Sequence, residues 1–296
     1  MSAVTGEALI FERDTLARAT GGRWEGLFNR IVVTISALVL GVIVICAIFA
    51  PWLAPHNPNT IHLLDPYANP SHRFLFGQDS AGRDILSRLI YGSRLSLLGP
   101  LIVVAIAFVA GVPLGFLAAY RGGFVDGLIS RTFDVIFAFP ALLLAIVIVA
   151  TFGASFQTAV FAVAVTYVPL MGRVVRSAAL VERSKPYVEE CRLQGYGAFR
   201  ILFVHVMPNI GRILVSQTTL YFAYGLLDLS ALSFLGLGAQ PPQIDWGEML
   251  QDANSGVFQS PYGVIFPAVA IVALVVSLNF IADWALDYRL RKENRS

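Results

Sequence analysis

IVVTISALVLGVIVICAIF, residues Ile31 to Phe49, runs nineteen residues without a charge. As a helix it rises about 28 Å, close to the roughly 30 Å hydrocarbon core of a bilayer. Thirty mostly polar residues precede it, whereas the apolar core of a signal peptide is about 7–15 residues long and follows a short basic start. The reading is a retained membrane crossing, closed by Pro51. Composition across the 296 residues agrees. Hydrophobic residues make up 56% and charged residues only 14%, against about 25% charged in soluble domains. Mean hydropathy is +0.70. There is too little polar surface to cover a water-soluble particle, so disorder, a disulfide scaffold and a nucleic-acid binder are excluded. Net charge is +2, and no bulk field recruits nucleic acid or an acidic partner.

Further crossings follow from the charge-free runs. Leu95 to Tyr120 is one span. Val135 to Gly172 is too long for one helix and fits two, reversing at Gly153-Ala154-Ser155-Phe156-Gln157. A fifth covers about Gly211 to Leu235 and carries one acid, Asp228; a sixth covers about Val264 to Ala282. Period-two alternation is absent, which rules out a transmembrane barrel, and helices are the remaining way to satisfy backbone groups in lipid. The expected fold is all-α and polytopic, with six transmembrane helices. Of the 21 Lys and Arg, 17 fall on the side holding both termini and the long loop between spans four and five. The positive-inside rule makes that side cytoplasmic, N-in and C-in, and places the chain in a lipid bilayer as a multi-pass protein. Cys46 and Cys191 fall at different membrane levels, so no disulfide is expected.

Three loops are longer than a compact bundle needs. The first external loop ends in FGQDSAGRDILSRLIYGSR, where Ile85, Leu86, Leu89 and Ile90 recur at helical spacing, with Asp84, Ser87 and Arg88 on other faces. It reads as an amphipathic helix at the outer interface that leads into span two. The cytoplasmic loop, Val181 to Ile210, reads as a helix–turn–helix hairpin. Ser184 is its candidate cap and Pro186 its first turn. Tyr187, Val188, Cys191 and Leu193 are its apolar positions, Gly195 and Gly197 break it, and a second short helix over Phe199 to Val206 is stopped by Pro208. Such a hairpin either docks a partner or merely joins two spans. The outer loop from Gly238 to Gly263 is acidic, with Trp246 and Tyr262 placed as interfacial anchors. It is either a plain connector or a rim for an external partner.

An acid inside a span is a functional candidate by default. Asp228 is read either as a pore-lining acid that senses an amino group or as a hydrogen-bonded packing residue; Tyr167, Gln217 and Tyr221 are candidates beside it. Arg131 and Asp134, three apart, allow a local ion pair. His56, His62, His72 and His205 lack His-Glu-x-x-His spacing, and no GxxxxGK[ST] loop is present, so no catalytic, metal or cofactor site is read.

Three ordered motifs now carry a resemblance. Glu189, then Gly195 six positions later and Pro208 thirteen after that, resembles the EAA loop of permease subunits in bacterial ATP-binding-cassette importers, with Glu190 and Cys191 at the two Ala positions. Gly77, Asp79, Gly82, Arg83 and Asp84 resemble the Gly-Thr-Asp-x-x-Gly-Arg-Asp signature of the dipeptide, oligopeptide and nickel branch, with Gln78 for Thr. Gly238 to Pro242 with Trp246-Gly247 is similar to the C-type subunit of that branch. The resemblance implies the type I importer permease fold in a bacterial inner membrane. It also implies four partners: a second homologous permease subunit, two ATPase subunits and an external substrate-binding protein. The cargo class it implies is di- or oligopeptides, with nickel complexes, glutathione and opines as the alternatives in that branch. Glu189, Glu190, Arg192, Gly195 and Pro208 become the candidate ATPase-coupling residues, and ATP hydrolysis is assigned to the separate subunits. On this division 1–30 is a cytoplasmic segment, 31–92 the first span with its external loop, 93–287 the transmembrane domain with coupling loop 182–209, and 288–296 a cytoplasmic tail. A proton-driven secondary transporter is the reading from another class, and only Asp228 speaks for it.

Overall fold

The computed structural model describes residues 30–62 and 66–293, with side chains as far as Trp284. The basic N-terminal tail before Arg30 and the side chains of the C-terminal tail lie outside the described residues. The described residues form helices and one isolated bridge, Gln78 with Asp84.

Helix α1 spans Arg30–Ile48, and a short α2 follows at Ala50–Leu53. Helix α3, Ile85–Arg121, is 37 residues long. After it come α4 (Gly123–Phe137), α5 (Ala141–Phe152) and α6 (Phe156–Arg183). Helix α7 is Pro186–Leu193. Helix α8 (Ala198–Arg200) runs through a π-helical turn at Ile201–Val206 into α9 (Met207–Phe234). Helix α10 is Trp246–Asn254 and α11 is Tyr262–Glu293. Five stretches are long and apolar enough to cross a membrane, and α4 with α5 supplies a sixth if that pair, bent by 84°, is one span. The third crossing is therefore broken rather than straight. Pro140 directly precedes α5, and the residue before a proline avoids helical geometry.

The α3–α6 seam is made of small residues. A Cβ on Gly111 would lie 2.7 Å from the Val168 carbonyl oxygen, and one on Gly115 would collide with that of Gly172. Glycines four apart on one face let two backbones approach this closely, the usual device where lipid offers helices no hydrophobic drive to associate. Around the seam Val103, Ala107, Val163, Met171 and Val175 are fully enclosed. At the reversal predicted between spans three and four, Ser155 caps α6 by accepting from Thr158 N at 3.1 Å.

Several local expectations are corrected. The segment from Ile85 is not a separate interfacial helix. It is the start of α3, and its polar residues Ser87 and Arg88 are buried together with Ile85 and Ile90. Asp134 pairs across to Arg173 on α6, not with Arg131, and Arg173 also lies 3.9 Å over the Phe137 ring. Asp126 on α4 takes Arg176 in a forked pair, 2.6 Å at one arm. These pairs bind the broken crossing to α6. Arg94 of α3 donates to the Ala47 and Ile48 carbonyl oxygens at 2.8 and 3.3 Å, satisfying the open end of α1. Little else of α1 is covered by the chain.

Candidate functional site

The face that carries the basic residues is taken as the inner end. There Arg183, at the end of α6, donates to the carbonyl oxygens of Ala119 and Tyr120 at 2.8 and 3.0 Å, closing the last turn of α3. Helix α7 begins with Pro186 in its first turn; Lys185 occupies the cap position without a side-chain capping bond, and Ser184 donates back to the Val181 carbonyl rather than capping. Val188 and Cys191 face inward. Glu189, Glu190 and Arg192 are exposed, and Leu193, expected among the apolar positions, is 88% exposed. Helix α7 ends in a Schellman turn. Gly195 N donates to the Arg192 carbonyl at 2.9 Å and Tyr196 N to that of Cys191 at 3.0 Å, with Gly195 at φ +79°.

Pro208 does not stop the second helix. It lies in the first turn of α9, just after the π-helical segment. Proline removes one donor and its ring crowds the carbonyl four residues back, so a locally wider ladder lets the chain pass without a break. The hairpin's two legs are strapped by Glu182, a residue the sequence reading left out of the candidate set. Its carboxylate is buried and accepts from Tyr187 Oη and Asn209 Nδ2, each at 2.9 Å, and pairs with Lys185 Nζ at 2.7 Å. Burial, then the Glu182 carboxylate, pushes the Tyr187 hydroxyl above its ordinary range, which keeps it a donor. Only folding reveals this strap, because its members are 27 residues apart in the chain.

The outer end holds a buried charge cluster. Arg88 Nη2 reaches both oxygens of Glu248 at 2.8 and 2.7 Å and Asp252 Oδ2 at 2.9 Å. Arg83 bridges Asp79 and Asp252, each at 2.7 Å, and Arg88 Nη1 lies 3.5 Å from Asp79. Three carboxyl groups thus face two guanidiniums, and one negative charge would be in excess if all three were ionised. Burial pushes the Glu248 carboxyl up, Arg88 pulls it down and Asp252 raises it again, leaving it at about 8. The loop feeding the cluster turns at Gly82, φ +71°, where a Cβ would strike the His62 carbonyl oxygen. Asp79 Oδ1 accepts from the backbone of Ala81 and Arg83 at 2.9 Å. On the facing side Asp245 caps α10 through Glu248 N at 2.7 Å and accepts from Ser233 Oγ at 2.6 Å. Trp246 is not an interfacial anchor: it is buried, and its Nε1 donates to the Leu89 carbonyl at 3.0 Å. The two outer motifs therefore lock α3 to α10, and Arg88, outside both, is the hub.

Within the membrane-spanning region Tyr167 Oη donates to Asp228 Oδ2 at 2.8 Å, joining α6 to α9. Tyr221 meets Tyr167 edge-on, centroids 5.8 Å apart. Gln217 is half-buried on the same face of α9, four residues before Tyr221. Among the described residues no cluster of His, Cys, Asp and Glu could hold a metal ion.

Residues 111–293 match the family model described as the binding-protein-dependent transport system inner membrane component, and residues 23–70 match the N-terminal TM domain of oligopeptide transport permease C. The chain is 38% identical over 268 residues to the dipeptide transport system permease protein DppC of Alkalihalophilus pseudofirmus, covering 89% of this chain and 88% of that one. It is 41% identical over 263 residues to the di/tripeptide permease protein DppC of Pseudomonas aeruginosa, covering 86% and 87%. It is 36% identical over 272 residues to the glutathione permease protein GsiD of Pectobacterium atrosepticum, covering 90% of each. Among solved structures, an inward-facing form of the MetNI methionine ABC transporter matches with a TM-score of 0.57 at 18% identity, covering 67% of this chain and 94% of that one. That match shows a shared fold.

Proposed function

The chain belongs to the family of binding-protein-dependent transport system inner membrane components, and from that premise we propose that it forms half of the pathway of an ATP-driven importer for di- and oligopeptides. The other half is a second, related permease subunit; two ATPase subunits dock inside, and an external binding protein delivers cargo. The termini and the hairpin face the cytoplasm, as the basic census requires. In this reading residues 93–287 translocate and residues 182–209 couple.

The observation that carries the coupling role is the exposed edge of α7. Glu189, Glu190, Arg192 and Leu193 project from a hairpin whose legs are strapped by Glu182, so the edge moves with α6 and α9 rather than apart from them. Gly195 reverses the chain and Pro208 starts the return into α9. ATPase closure would push this edge and tilt the two long helices as rigid bodies, which is alternating access. At the opposite end an open groove of about 670 Å³, lined in part by His56, Tyr91, Arg94, Gln243 and Ile244, is the surface offered to the binding protein. The 36% identical glutathione permease protein keeps glutathione as a second cargo reading.

The test is to purify the chain carrying Glu189→Cys with its neighbours and to look for a disulfide to single cysteines in the ATPase groove. A cross-link, with vanadate-sensitive dipeptide uptake in proteoliposomes, is the expected result. An ATPase that never co-purifies, or uptake driven by a proton gradient alone, overturns the reading.

A further inference from the structure

Helix α9 carries Gln217, Tyr221, Tyr224 and Asp228 at intervals of four, three and four residues, which places all of them on one face. Asp228 sits six residues before the end of α9, about 9 Å down the helix. It is half-buried. Its Oδ2 is occupied by Tyr167 Oη at 2.8 Å, whereas its Oδ1 accepts no hydrogen bond from the described residues. Tyr221 braces Tyr167 edge-on, so the hydroxyl that orients the carboxylate is itself fixed. Tyr224, one turn before Asp228, leaves half its surface uncovered.

A carboxylate oxygen without a partner is costly in hydrocarbon, so this face of α9 must meet water or a polar group in the assembled membrane. A single packing hydrogen bond needs only one of the two oxygens. We propose that Asp228 is a binding station for the protonated primary amine of the cargo, with Tyr167 aiming the carboxylate and the Tyr224 ring beside it offering a cation–π surface. This rests on the peptide-importer reading and deepens it. Di- and tripeptides and glutathione, the cargoes named for the relatives, all share a protonated α-amino group at neutral pH. The station lies in the outer part of the span, where cargo arrives after release outside. It holds the ammonium without neutralising the rest of the molecule, and so discriminates for a feature every such peptide has while ignoring its side chains.

The experiment uses the whole complex in proteoliposomes, with the binding protein in excess and a radiolabelled dipeptide as probe. Asp228→Asn should lower uptake about tenfold or more, the loss of one charge-assisted contact, and Asp228→Glu should restore most of it. Assembly and melting temperature should be retained in both. A water-soluble carbodiimide, which joins a carboxylate to an adjacent amine with loss of its own urea, should attach an isotope-marked dipeptide to Asp228 through its amino nitrogen. That adduct, located by peptide mass spectrometry, should be absent from Asp228→Asn. Unchanged uptake by Asp228→Asn overturns the station while leaving the importer reading intact. So does wild-type uptake without any adduct at Asp228, or a parallel fall in assembly and melting that marks a merely structural role. A wild-type complex that takes up no dipeptide overturns the substrate reading, and the station goes with it.

Discussion

Replacing Arg88 by Met tests the outer charge cluster. The guanidinium is 1% exposed and answers to Glu248, Asp252 and Asp79 at once. Met keeps most of the stem's volume and removes the charge, leaving Arg83 alone with three carboxylates. Removing one member of a buried pair costs about 3–5 kcal/mol, because the partner stays buried and uncompensated. Arg88→Met should fall in that range. Glu248→Gln should cost about 1–2 kcal/mol, the loss of charge-assisted hydrogen bonds with shape preserved. The double variant should cost less than the sum by roughly 1–3 kcal/mol, since it no longer strands Glu248. The assay is reversible unfolding of the purified permease in mixed micelles with a graded denaturing detergent, followed by near-UV circular dichroism at about pH 9, where the Glu248 carboxyl is ionised. Additivity within about 0.5 kcal/mol, or a cost under about 1 kcal/mol for Arg88→Met, would refute the claim that the cluster locks α3 to α10.

Other outcomes follow from the same geometry. The Glu248 carboxyl is raised from 4.5 to about 8, so its contribution to stability is fully present below pH 4.5 and lost as pH rises through 8; melting temperature should decline across that window, and Glu248→Gln should flatten the decline. Gly195→Val forces a β-branched residue to φ +79° in open space, a strain of about 1–3 kcal/mol in the hairpin; uptake should be abolished while protease mapping shows the six crossings inserted. Gly115→Leu drives a side chain into the Gly172 carbonyl and Val175 and should cut the yield of folded, monodisperse protein several-fold, whereas Gly127→Leu, where a Cβ meets nothing within 4 Å, should not. Tyr187→Phe together with Asn209→Ala removes both side-chain donors that tie Glu182 across the hairpin; uptake per ATP hydrolysed should drop, and equal coupling ratios would show the strap to be idle.

Uninterrupted apolar runs, the reversal at Gly153 to Gln157, and the Gly195 turn were legible from the chain alone, because each depends on residues close in sequence. A charge-free run of helical length has nowhere to go but lipid, and a glycine six positions after Glu189 ends a helix by its own backbone freedom. Periodicity misled at Ile85 to Ile90. The apolar stripe was real, but an arginine among apolar neighbours reads as solvent-facing until its acids are known, and Glu248 and Asp252 lie 160 and 164 residues away. Trp246 failed in the same way, since an indole at a membrane boundary serves equally as an anchor or as a buried donor, and only the Leu89 carbonyl decides. The single wide turn that carries α9 past Pro208 left no periodic mark, because a π-turn differs from its neighbours by one residue. What the sequence alone determined was the solvent this chain lives in and the apolar runs long enough to cross it, both matters of local transfer free energy. Which charges are shared across helices, and which face of α9 stays polar, were decided by tertiary contact, because an ion pair has no meaning until its partner arrives.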